Sequence, residues 1–274
     1  MLDIIKLFLT FFEKGETSME EQGFNSSKWG EYGKCYDALN YLGPYNELMD
    51  AVIARLNLGQ EERFLDAACG TGNLERRLVE ERKIRGALVY GLDFSEEMLA
   101  IARKKCFYTI IRFMQADLSA PLGFDNDFFD KIASVNTVYA LPDPGKTVAE
   151  FFRVLKPGGR LVLATPKQGY ENGLILKAHC RSSEPDELWC NGHASSAKEE
   201  ELIRKAIELE DLIPEFLTLA YYNRQIAKNS KFIFFTEQEL FSLLENCGFI
   251  DIELSEVYAR QGILAVCRKT RRLG

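Results

Sequence analysis

Several features are scarce or absent in this 274-residue sequence, and each absence narrows what the protein can be. It has no cationic excess: 34 Lys and Arg face 41 Asp and Glu, for a formal charge of -7. Capture of a nucleic-acid backbone needs basic side chains to displace condensed counterions, so no nucleic-acid partner is expected and a small-molecule substrate is. The basic cluster Arg268, Lys269, Arg271, Arg272 reads as a solvated end. It has no paired cysteine framework either, since the seven cysteines are odd in number and scattered, with no secretory signal; a reducing, cytoplasmic home is expected. The 20 Gly and 8 Pro form no low-complexity tract and no internal repeat is visible, which argues for one ordered core.

Long apolar runs are missing too. The most apolar stretch, Leu2–Phe12, is too short to span a bilayer, contains Asp3 and Lys6, and lacks a small-residue cleavage site. Ile5, Phe8, Leu9 and Phe12 would share one helical face, which suits a cap helix or, alternatively, a peripheral membrane contact through residues 1–12. Histidine is scarce: both copies, as His179-Cys180 and Cys190-Asn191-Gly192-His193, fall within one short stretch. These are metal-capable types, but a neighbouring His and Cys rarely reach one ion and paired spacing is missing on one side, so no metal is expected.

What is present is alternation. From Arg63 onward short apolar runs at Phe64–Ala67, Ala87–Leu92, Ile110–Gln115, Phe128–Val135 and Arg160–Thr165 are separated by helical patterns, the mark of βαβ units and a parallel sheet. Helices are expected over Asn73–Glu81, over Ser95–Cys106 with Ser95 as N-cap, and over Thr147–Leu155, before a structural turn at Lys156-Pro157-Gly158-Gly159. Thr236-Glu237-Gln238-Glu239 is a capping box opening a helix to Cys247, closed by Gly248. Ile250–Leu254 and Gly262–Cys267 then pair as an antiparallel hairpin, because the link Ser255–Gln261 is too short for a crossover.

The expected fold is α/β: a Rossmann-like, doubly wound, mainly parallel seven-stranded sheet with an antiparallel C-terminal hairpin. Residues 1–62 read as a helical cap, with a helix over Glu47–Leu56, and 63–165 as the ligand-binding core. Residues 166–235 read as a helical insertion covering the substrate, with helical patterns at Ala197–Glu210 and Pro214–Gln225, and 236–274 as the helix and hairpin that complete the core.

In such sheets ligands bind at the carboxyl ends of the strands. Asp66-Ala67-Ala68-Cys69-Gly70-Thr71-Gly72 follows the first strand, and its glycines let the backbone turn tightly and approach a ligand beneath a helix N-terminus. The third glycine of a dinucleotide fingerprint is replaced by Glu75, which counts against pyrophosphate. Asp93, ending the second strand, can accept from both hydroxyls of a ribose. A nucleoside without pyrophosphate is therefore favoured over NAD.

Four motifs in order, Phe64–Gly72, Gly91–Leu99, Gln115-Ala116-Asp117-Leu118 and Arg153–Arg160, make the chain resemble the class I S-adenosylmethionine-dependent methyltransferases from about Glu47 onward, apart from the insertion. The resemblance implies that Asp66, Ala67 and the Gly70–Gly72 loop surround the methionine part of S-adenosylmethionine. It implies that Asp93 holds the ribose, Phe94 and Met98 flank adenine, Asp117 accepts from its amino group and Leu118 lines the ring. Asn136 would lie near the transferable methyl. Trp29–Asn40 resembles the Tyr-Asp entry segment of quinone-biosynthesis and phospholipid methyltransferases, making Tyr36 a candidate lid residue, although Trp29, Tyr32 and Tyr36 equally suit ordinary packing of a helix.

The implied function is methyl transfer from S-adenosylmethionine, with S-adenosylhomocysteine as product, to a small apolar or amphipathic acceptor. Phe216, Leu217, Leu219, Tyr221 and Tyr222 of the insertion would cover it. Such a displacement needs alignment and dryness more than a catalytic group; Tyr139, Tyr170, His179 and His193 are the candidate bases. The competing readings are a non-catalytic S-adenosylmethionine-binding protein and an NAD(P)-dependent oxidoreductase.

Overall fold

Period-2 burial on both faces is what turns the apolar runs into a central sheet. Phe64 and Leu65, Val89 and Tyr90, Ile132 and Ala133, Leu161 and Val162 are all buried, with neighbours in each pair contributing to opposite hydrophobic clusters. The computed structural model describes residues 24–81, 83–84, 86–107, 111–190 and 196–271. In it the strands are β1 Arg63–Ala67, β2 Leu88–Asp93, β3 Ile111–Gln115, β4 Phe129–Val135, β5 Leu155–Pro166, β6 Phe249–Val257 and β7 Gly262–Lys269. They lie in the order β3-β2-β1-β4-β5-β7-β6. The first five are mutually parallel, and β7 runs against both β5 and β6. Strand order reverses between β1 and β4, so the crevice of this fold opens at their carboxyl ends.

Helices cover both faces: α1 Ser26–Tyr36, α2 Gly43–Leu56, α3 Asn73–Glu80, α4 Glu96–Lys105, α5 Pro144–Val154, α6 Asn172–His179, α7 Ser196–Ala206, α8 Ile213–Lys228 and α9 Glu237–Asn246. Two sequence signals are met directly. Ser95 caps α4 by accepting from the Met98 amide, and Thr236 and Glu239 close both halves of the capping box of α9.

Five local expectations are corrected. The Lys156–Gly159 turn is a register slip inside β5: Phe129 pairs with Leu155 but Lys131 pairs with Arg160, and Gly158 takes the left-handed φ of 78° that the slip needs. Helix α5 starts at Pro144, not Thr147, because Asp143 caps it and proline suits a first turn. Helix α6 was not expected: it has no side-chain cap and carries Gly173 near its start. That glycine is required by packing, since a Cβ there would sit 1.6 Å from the carbonyl oxygen of Trp189, whose ring is fully buried. The helix expected over Ala197–Glu210 stops at Ala206, and the one expected from Pro214 to Gln225 spans Ile213–Lys228. The apolar stretch 1–12, including its suggested membrane contact, lies outside the described residues.

Helix α1 lies flush on α4 because two of its contact positions are glycine. A Cβ at Gly33 would come within 2.6 Å of the Met98 sulfur, and one at Gly30 within 2.9 Å of Glu97 Cβ. On its other side Tyr32 donates its hydroxyl to Asn223 of α8 at 3.0 Å. Residues of α1 and α8 thus line the same cavity as residues at the carboxyl ends of β1, β2 and β4.

Candidate active site

The loop after β1 reverses direction through three left-handed residues, Ala68, Gly70 and Gly72, with φ of 67°, 55° and 77°. Its shape is then held by side chains from the next strand and from the cap. The Gly70 amide donates to Asp93 Oδ2 and the Ser95 amide to Asp93 Oδ1, each at 2.9 Å, so one carboxylate ties the loop to the end of β2. Each carboxylate oxygen retains a second lone pair. Burial pushes the Asp93 carboxyl up, while the Ser95, Gly70 and Phe94 amides counter it.

From the cap side, Asp37 accepts from Thr71 Oγ1 and from Lys105 Nζ, both at 2.7 Å. Lys105 also donates to Asn73 Oδ1 at 2.8 Å, and Asn40 and Tyr45 complete the cluster through Asn73. The Lys105 side chain is only 15% exposed, which lowers its pKa, but the Asp37 partner opposes that shift. This network joins the 3₁₀ turn after α1 to the glycine loop and to the end of α4.

Above the loop is a cavity of about 370 Å³. Its lining falls into two chemical sets. An acid set comprises Asp66, Asp93 and Asp117 with Gly70, Phe94, Met98 and Leu118. A tyrosine set comprises Tyr32, Tyr36, Tyr45, Tyr139, Tyr170 and Tyr258, with the amides of Asn136, Asn223 and Gln261. No lysine, arginine or histidine lines the cavity among the described residues. Burial raises the pKa of all six phenols, so they are neutral hydrogen-bonding groups and not bases.

Of the residues singled out from sequence, Tyr36, Asp66, Gly70, Asp93, Phe94, Met98, Asp117, Leu118 and Asn136 share this cavity wall, as do Tyr139 and Tyr170. Phe94 is 43% exposed, whereas Met98 is buried and also packs on Gly33, so it serves core and cavity together. Asn136 adopts a left-handed φ of 55°, pinned by its amide donating to Ala164 O. Ala67 and Gly72 stand off the wall: Ala67 is buried in the sheet, and Gly72 presses on Ala102 of α4, where a Cβ would lie at 3.0 Å.

His179 is not at the cavity. It ends α6, its Nδ1 accepts from the Gly43 amide at 3.2 Å, and its ring lies 4.9 Å from that of Tyr41; burial lowers its pKa. Its role is to join insertion and cap, and the expectation of a general base there is corrected. His193 lies outside the described residues. Among the described residues no group of three or more His, Cys, Asp or Glu is placed to hold a metal, and no helix is long and apolar enough to cross a membrane.

Sequence reading missed Tyr45, Asn223, Tyr258 and Gln261. Tyr258 reaches the wall from the β6–β7 link, where it, Ala259 and Arg260 are all left-handed, and Gln261 Oε1 accepts from the Glu171 amide at 2.9 Å. A Tyr-Ala-Arg-Gln link carries no turn signature, so only the strain in the folded chain marks it.

Known proteins match this arrangement. A family model described as a methyltransferase domain covers residues 65–163. The demethylmenaquinone methyltransferase of Thermus thermophilus is 37% identical over 160 residues, 55% of this chain and 70% of that protein. Its counterpart in Chlorobaculum tepidum is 38% identical over 143 residues, 50% of this chain and 57% of that protein. The chain spans about half the length of the first curated relatives it matches, 52% and 57%. A Haloferax volcanii methyltransferase solved with the Trm112 methyltransferase activator shares the fold, with a TM-score of 0.59, 19% identity, and coverage of 90% of this chain and 98% of that one. The chain belongs to the class I S-adenosylmethionine-dependent methyltransferases.

Proposed function

We propose that this protein transfers a methyl group from S-adenosylmethionine to a small, uncharged or weakly polar acceptor of apolar or amphipathic character. The observation that carries the reading is one cavity lined by two chemistries: three strand-end acids with a glycine loop, and a set of tyrosines and amides. Relatives named as quinone-biosynthesis methyltransferases support an acceptor of this class.

In this reading the Gly70–Gly72 loop and Asp66 hold the methionine end of the cofactor. The free lone pairs of Asp93 take the ribose hydroxyls, Phe94, Met98 and Leu118 enclose the adenine, and Asp117 accepts from its amino group. Bound there, the cofactor supplies a methyl already activated on a sulfonium. What the chain adds is alignment and exclusion of water, by Tyr36 and Asn136 near the reacting centre and by helices α1 and α8 as the roof. The cavity phenols donate hydrogen bonds but take no proton near neutrality, so acceptor ionisation belongs to the acceptor itself.

Calorimetry tests the reading: S-adenosylhomocysteine should bind and NAD should not, and Asp93→Ala should weaken the first by about 1.5–3 kcal/mol through loss of charge-assisted ribose contacts. Unchanged affinity in that variant would remove Asp93 from the ribose.

A further inference from the structure

Glu75 is a buried acid that neither the fold nor the proposed reaction explains. It occupies the first turn of α3, directly behind the glycine loop, and is completely buried. Among the described residues neither of its carboxyl oxygens meets a hydrogen-bond donor of another group. The polar group facing it is Asp66, itself 3% exposed, whose other side lines the cavity. Two carboxylates are both acceptors and cannot bond each other, so contact between buried acids requires a proton on one of them.

The surroundings say where that proton resides. Burial drives the Glu75 carboxyl well up, and the charge of Asp66 adds to it; its own backbone amide and Lys105 oppose the shift. Lys105 is already engaged by Asp37, which blunts its pull. Asp66 is pushed by burial up to about 7, with the hydrogen bond from Glu75 holding it down and Asp93 pushing it up. The remaining titratable groups facing the pair, Cys69, Cys106 and Tyr36, have raised pKa values through burial and are neutral. The amides at the start of α3 favour an anion, yet a second buried charge beside Asp66 is the larger cost.

We propose that Glu75 is a buried, permanently protonated carboxylic acid that donates its hydrogen bond to Asp66 and so positions Asp66 as the ionisable counter-charge to the cationic end of the methyl donor. This rests on the reading that Asp66 faces the methionine part of the cofactor. Below neutrality both acids hold protons. Arrival of the cationic group releases one proton, from Asp66, to the buffer, and Glu75 keeps its own. Glu75 is thus a positioning residue, acting on the donor through Asp66 and touching no reacting atom.

Infrared spectra of the folded protein and calorimetric titration of S-adenosylmethionine across pH test this together. The wild type should show the carbonyl stretch of an unionised carboxyl at pH about 8, and Glu75→Gln should lose it. Glu75→Gln, whose amide still donates to Asp66, should keep donor affinity within about threefold and keep its rise as pH passes through about 7. Glu75→Met, which fills the space without a donor, should shift that rise upward by about one pH unit, weakening binding about tenfold near neutrality. Asp66→Asn should flatten the profile. A Glu75→Gln protein that loses affinity as badly as Glu75→Met at every pH would show that Glu75 acts as an anion and overturn the proposal, as would an unchanged infrared band in Glu75→Gln. Should Glu75→Met not fold, the glutamine variant and its spectrum still decide. A wild type that binds no S-adenosylmethionine would sink the cofactor assignment instead, while the infrared band would still report on the proton.

Discussion

The two sets of cavity residues are built in opposite ways. The acid set lies at or just after the ends of β1, β2 and β3: Asp66 and Gly70, Asp93 and Phe94, Asp117 and Leu118. The tyrosine set comes from α1, α2, α8, the turn after β4, the segment after β5 and the β6–β7 link, through Tyr36, Tyr45, Asn223, Tyr139, Tyr170 and Tyr258. The first is held by the Asp93 carboxylate and by backbone hydrogen bonds to the end of β2, with the Asp37–Lys105–Asn73 cluster beside them. The second is held by helix packing and a few long-range contacts such as Tyr32 to Asn223. A donor common to a whole family can be bound by the invariant part of a fold, whereas an acceptor particular to one member needs the variable pieces.

The sharpest way to separate the two sets is to damage only one. Gly173→Ala drives a Cβ into the Trp189 carbonyl at 1.6 Å and should destabilise the α6–α7 region by about 3 kcal/mol or more, lowering Tm by several degrees. S-adenosylhomocysteine affinity should change far less than methyl-transfer turnover in what remains folded; equal losses would show that the two sets are not separable. Asp93→Ala is the converse, with about 1.5–3 kcal/mol lost from cofactor binding and little change in the unfolding midpoint of the insertion.

Asp37→Ala attacks the join. It leaves Lys105, only 15% exposed, without its carboxylate and frees Thr71, so about 1–3 kcal/mol of stability and a comparable share of cofactor affinity should be lost together. A stability loss with intact affinity would make the network purely structural. Smallest should be Tyr139→Phe, which removes one hydroxyl from the tyrosine set: about 0.5–1.5 kcal/mol in kcat/KM with the cofactor Kd unchanged. A change in cofactor Kd instead would put Tyr139 with the acid set.

Asp66 adds a pH arm to the comparison. Its carboxyl has an ordinary value of 3.8 and is raised to about 7 in the folded chain. The folded protein therefore binds more protons than the unfolded chain between those values, and this group's contribution to stability falls as pH rises from about 4 to about 7. Asp66→Asn should remove that slope from chemical denaturation measured across the range.

Legibility follows the same division. Ser95 and Thr236 announce their helices because capping is a local bond between a side chain and an amide three residues on. The inner strands β1, β2, β4, β5 and β7 were readable because burial on both faces leaves runs of Val, Ile, Leu and Phe, whereas the edge strands β3 and β6 are mostly unburied and were read from their spacing to the elements around them. Helix α6 was not, since its glycine is justified only by a carbonyl sixteen residues downstream. His179 looked like chemistry and turned out to be a join, because a scarce residue type carries no information about which way it faces.

The order of strands, helices and strand-end acids, with the family and the donor they imply, was therefore determined by the sequence alone, because each rests on contacts within a few residues. The tertiary structure decided the rest: which tyrosines and amides share a cavity with the strand-end acids, that the Lys156–Gly159 turn is a slip in β5, and that Glu75 faces Asp66 in a dry interior. Those depend on approaches between segments far apart in the chain, and on how much water each approach removes, neither of which local pattern encodes.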